Sequence, residues 1–127
     1  MALAGCNAAG EPGGDKTFSD EDVPFTFSIP AEFTKADVDT GNSAGDVIAG
    51  AGITKVDVIA VRRLPSGGVA EIGSGGQRHE VLGHEVTSEL HPVEQASGYA
   101  IECQYTEEYR EDVLDACRTA LDSVRRK

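Results

Sequence analysis

Tyr99-Ala100-Ile101-Glu102-Cys103-Gln104-Tyr105 runs directly into a helix-forming stretch from 107 to 125, and this junction decides the architecture. Tyr99, Ile101, Cys103 and Tyr105 recur at every second position, as on one face of a β-strand, with Glu102 and Gln104 on the other. Val113, Cys117, Ala120, Leu121 and Val124 recur with the helical period and form one apolar stripe. Thr106 is the expected N-cap, followed by Glu107, Glu108, Glu111 and Asp112, with Arg125, Arg126 and Lys127 at the far end. That sorting of charge suits the helix dipole.

Upstream, the pattern is mostly that of strands. Phe25-Thr26-Phe27-Ser28-Ile29 alternates and stops at Pro30, whereas Val56-Asp57-Val58-Ile59-Ala60-Val61 is apolar enough to be central. Asp37 to Gly45 reads as a turn-rich loop, and 44 to 51 as a short helix. Leu64 to Gly68 breaks the chain before a weak segment, Val69 to Ile72. Glu80 to Leu90 reads as one extended strand bent at Gly83, and a turn through 94–98 returns the chain as a hairpin. Strands followed by one terminal helix predict an α+β domain, an antiparallel sheet with the C-terminal helix packed on one face.

The two cysteines at the junction point into the same strand–helix interface, which predicts a Cys103–Cys117 disulfide in an oxidising compartment. The alternative is two buried free thiols acting as small hydrophobes. Bridging further requires the helix to fold back at an angle across its own strand, because Cα atoms more than roughly 7 Å apart cannot be joined.

The 127 residues leave room for one domain, with 39% hydrophobic residues and 15 glycines. The net charge of −11 repels phosphate backbones and anionic head groups, which argues against nucleic-acid binding and against charge-driven membrane attachment. A monomer is expected.

Leu3-Ala4-Gly5-Cys6 resembles the bacterial lipobox, in which the bond before the cysteine is cut and the cysteine receives lipid. On that resemblance residues 1–5 are a signal-peptide remnant and Cys6 is the lipidation site. Ala8 to Asp15 is small, polar and flexible, so 6–23 reads as a tether and 24–127 as the domain. Phe25-Thr26-Phe27-Ser28-Ile29-Pro30 leading into Ala31-Glu32-Phe33, together with the closing strand and helix, resembles PsbP-like domains. Actinobacterial cell-envelope lipoproteins pair such a domain with a lipobox. The resemblance implies a non-catalytic binding or assembly module outside the cytoplasmic membrane, attached through its lipid to face an envelope protein or small ligand. The sheet face away from the helix, or the loops from 62 to 80, is the expected contact surface.

Catalytic patterns are weak. His79-Glu80-Val81-Leu82-Gly83-His84 is similar to a zinc-protease helix, but that motif needs histidines four apart. Five apart they are rotated by roughly 140° on a helix, and on one strand they fall on opposite faces. A metal-dependent enzyme built on His79, Glu80, His84 and His91 is therefore the alternative reading, and no metal or cofactor is expected. Asp37, Asp39 and Asp46 could bind calcium weakly, but the spacing departs from the calcium loop at its glycine and its closing glutamate. No serine sits in a nucleophile elbow.

Overall fold

The computed structural model describes residues 14–41, 45–64 and 76–127. In chain order the elements are β1 (Asp15–Phe18), β2 (Phe25–Pro30), β3 (Thr34–Lys35), β4 (Asp46–Gly52), β5 (Val58–Arg63), β6 (Gln77–Val81), β7 (His84–Pro92), β8 (Tyr99–Tyr105), α1 (Arg110–Asp122) and β9 (Arg125–Arg126). Six strands form one antiparallel sheet in the order β3-β4-β5-β8-β7-β6. β5 and β8 lie side by side at its centre, as the apolar run Val58–Val61 predicts. A second sheet, β9-β2-β1, completes the fold. The α+β expectation holds, with a second small sheet that the sequence did not announce.

The main core gathers between these layers. Ile59 and Val61 of β5, and Ile101 and Cys103 of β8, share it with Val113, Ala116, Cys117 and Ala120 of α1 and with Phe25, Phe27 and Ile29 of β2. Phe18 stacks on Phe27 with ring centroids 4.8 Å apart, and Tyr99 meets Phe25 edge-on at 5.9 Å. Cys103 and Cys117 are bonded, with sulfurs at 1.98 Å and Cα atoms at 6.1 Å. The helix thus crosses β8 at an angle that brings the two residues opposite.

Four local expectations need correction. The tether does not extend to residue 23, because β1 pairs with β2 and both Phe18 and Val23 are buried. Polar Asp15-Lys16-Thr17 hid a strand held by a single aromatic. Residues 46–52 form a strand rather than a helix; they pair antiparallel with β5, and a bulge falls between Val47 and Ala49. Thr106 does not cap α1, which starts from Tyr109 without a side-chain cap; the Thr106 hydroxyl and N–H go to Asp57 instead. Arg125 and Arg126 do not sit on the last helical turn, because the chain leaves the helix at Ser123 and pairs with β2.

Candidate functional site

On β8, Glu102 and Gln104 face away from the helix, as the alternation predicts, but they are buried. Residues 36–41 cross this face as a strap. The Ala36 N–H donates to the Gly50 carbonyl at 3.0 Å, and Val38 lies so close over Gly50 that a Cβ there would come within 2.5 Å of it. Gln104 Nε2 donates to the carbonyls of Asp39 and Val56, each at 3.0 Å, and its Oε1 accepts the Gly41 N–H at 3.0 Å. Arg62 Nε donates to Glu102 Oε1 at 2.6 Å, and the two side chains are 3% and 0% exposed. The guanidinium also donates to Thr40 Oγ1 and to the Gly45 carbonyl. His79 Nε2, Ser88 Oγ and Glu102 Oε2 are buried with no hydrogen-bond partner among the described residues. The centre of the sheet face away from the helix is therefore closed, and it cannot serve as the open contact surface expected of it. Of the loops from 62 to 80, residues 65–75 lie outside the described residues, as do Leu3 to Cys6.

The strap also settles where the acidic loop goes. Asp39 uses its carbonyl to hold Gln104, while Asp46 sits in β4 opposite Arg63. Among the described residues no three His, Cys, Asp or Glu side chains gather to hold a metal. That includes Asp37, Asp39 and Asp46, and the alternative set of His79, Glu80, His84 and His91.

The histidines are nevertheless not where a single bent strand would put them. Val81 and His84 pair across a two-residue turn, so β6 and β7 form a hairpin. The reversal puts His79, paired with Val86, on the same face as His84. They remain two pair positions apart along the ladder. His91 is on the opposite face of β7, where Nε2 meets Glu89 Oε1 at 3.3 Å.

The hairpin turn consists of Leu82 (φ 51°) and Gly83 (φ 81°). Two positive φ values match the I′ turn, which favours Asn, Asp or Gly at the first position. Leucine there meets the steric penalty of the left-handed region, roughly 1 kcal/mol or more. Nothing in the core compensates, because Leu82 is 57% exposed and is the one large hydrophobic exposed among the described residues. Val81 and Val86 of the hairpin form a small separate buried cluster with Val56.

Leu82 overhangs a cleft of about 800 Å³ whose walls come from three segments: 54–57, the hairpin at 82–85, and 106–109. One hydrogen-bonded knot holds two of the walls together. Buried Asp57 accepts the Thr54 hydroxyl at 2.6 Å on Oδ2, and the Thr106 N–H at 2.6 Å and hydroxyl at 2.9 Å on Oδ1. Thr54 Oγ1 in turn accepts the N–H groups of Val56 and Asp57. Tyr109 and Val56 supply apolar surface, while Lys55, Glu85, Glu107 and Glu108 stand exposed around the opening. The arrangement can grip an apolar group and a charged one together. The sequence signal for it was the Gly83 turn with strand-like residues on both sides, masked by a leucine where turn chemistry calls for Asn or Asp.

No family model matches the sequence, and no curated protein matches it. Among solved structures the chain is similar to cyanobacterial PsbP (CyanoP) from Synechocystis sp. PCC 6803, determined in solution. That similarity covers 98% of this chain and 99% of that one, at 15% identity and a TM-score of 0.46. The α+β class stands on the sheet order and the helix seat described above.

Proposed function

We propose that this chain is a non-catalytic binding module of the bacterial cell envelope. In this reading lipid on Cys6 holds it at the outer side of the cytoplasmic membrane, and the cleft under the Leu82–Gly83 turn makes the contact. The observation that carries the reading is Leu82 itself: a large apolar side chain kept exposed, in a backbone conformation that disfavours it, at the mouth of a braced cleft. Strained residues and exposed apolar groups concentrate where proteins bind. The Cys103–Cys117 bond suits an oxidising compartment. No helix among the described residues is long and apolar enough to cross a membrane, so attachment in this reading rests on the acylated cysteine.

The test uses the full-length gene product in its own membranes. Mass spectrometry should find the N-terminal cysteine acylated, and a wholly soluble, unmodified Cys6 overturns the anchoring. A photoreactive side chain at position 84, exposed in the cleft wall, should give one discrete adduct, lost when Leu82→Asn is added. The same group at position 118, on the exposed side of α1, should give none. Equal labelling from both positions overturns the choice of cleft.

A further inference from the structure

The cleft's chemistry narrows its occupant. We infer that it takes a cationic peptide segment of another protein, one presenting a Lys or Arg beside an aliphatic side chain. This rests on the cleft being the contact site. Leu82, Val56 and Tyr109 offer the apolar seat. Glu107 and Glu108, consecutive and exposed at the rim, have no ion pair among the described residues, whereas Glu85 reaches Arg78 at 3.5 Å. The Asp57 carboxylate is occupied by Thr54 and Thr106, so the charge offered to a ligand is that of the rim glutamates. Lys55, which also lines the cleft, would meet acceptors such as the backbone carbonyls of an extended segment. The whole chain carries −11, a field that draws basic segments and turns away acidic ones.

The basic segment 125–127 does not supply the occupant, because it is engaged elsewhere. Arg126 Nη1 donates to the Gln95 carbonyl at 2.9 Å and Lys127 Nζ to the Asp20 carbonyl at 2.7 Å. β9 is in turn paired with β2.

Leu82→Asn separates binding from folding, since asparagine favours the I′ turn and removes the apolar contact. Three fluorescent peptides are titrated into the purified full chain and followed by anisotropy: one with lysines flanking a leucine, its twin with glutamates for the lysines, and its twin with serine for the leucine. The lysine–leucine peptide should bind about tenfold tighter than either twin, as the burial of one aliphatic side chain and one charge contact would give. Leu82→Asn should weaken it about tenfold with the melting temperature unchanged or raised. Glu107→Gln with Glu108→Gln should weaken it and flatten its salt dependence. If the glutamate twin binds as tightly and still needs Leu82, the cationic partner is overturned and the cleft reading survives. If binding ignores Leu82→Asn, both fall. If none of the three binds, the cationic partner is overturned, and the crosslinking experiment on membranes decides the cleft separately.

Discussion

The two faces of β8 are both buried and chemically opposite. Toward α1, Ile101 and Cys103 meet Val113, Ala116 and Cys117 in an apolar layer closed by a disulfide. Toward the strap, Glu102 and Gln104 meet Arg62 and the backbone of residues 39–41 in a polar layer closed by hydrogen bonds. The apolar layer tolerates small errors of fit, because dispersion and transfer energies are non-directional. The polar layer does not, since each buried group stripped of its partner carries the full desolvation penalty. The cleft beside the Leu82–Gly83 turn is held by a knot of its own at Asp57.

The largest expected effect lies in the polar layer. Glu102→Ala leaves the Arg62 guanidinium buried without its carboxylate and should cost about 3–5 kcal/mol, read by chemical denaturation. Replacing both partners, Arg62→Met with Glu102→Leu, should recover most of that loss on the sheet side. A loss below about 1 kcal/mol for Glu102→Ala would show that the pair is effectively solvated, and that the two faces differ less than their burial suggests.

The next test breaks the apolar face. Cys103→Ala with Cys117→Ala opens a loop with a sequence separation of 14 and should cost roughly 3 kcal/mol. Melting of the oxidised wild type against the double variant measures it. An equal melting temperature would mean that packing alone holds α1 on β8.

These two faces were unequally legible. The period-two pattern of β8 and the period-3.6 pattern of α1 each named their apolar face, so the helix seat and the cysteine pair could be read from residues 99–124. Alternation tells which way Glu102 and Gln104 point but not what lies above them. The strap that covers them has no periodicity of its own: Ala36-Asp37-Val38-Asp39-Thr40-Gly41 looks like a solvated turn until Gln104 and Arg62 are seen to hold it. The cleft was hidden for a related reason. Its walls are brought together by Asp57 and Thr106, 49 positions apart in sequence, and its most telling residue, Leu82, contradicts the turn it occupies.

Gln104→Leu sharpens the comparison at the strap. It removes the acceptor for the Gly41 N–H and the donor to the Asp39 and Val56 carbonyls. A cost of about 1–3 kcal/mol is expected for the stranded groups. Limited proteolysis should show cutting within 36–41 before any cutting of α1. Simultaneous cleavage of both would mean that the strap and the helix face unfold as one unit.

The smallest expected effect is an alkaline one, at the rim of the helix face. Burial in the first place, and then the neighbouring carboxylate of Glu89, raises the Tyr105 phenol above the usual tyrosine value. Its hydroxyl donates to Glu89 Oε2 at 3.1 Å, a bond that the phenolate cannot make. Because the folded-state pKa is raised, the neutral phenol is favoured in the fold. Its contribution is full below the unfolded pKa of about 10 and is lost as pH rises through the folded value. Stability should therefore fall above about pH 10 more steeply in the wild type than in Tyr105→Phe. Ultraviolet absorbance of phenolate should show a late-titrating component, and that component should vanish in Tyr105→Phe. Glu89→Gln should move the late component only partway toward the ordinary value, since burial is the larger cause and remains. A return all the way to the ordinary value would make Glu89 the dominant cause and reduce the apolar burial of this rim to a minor one.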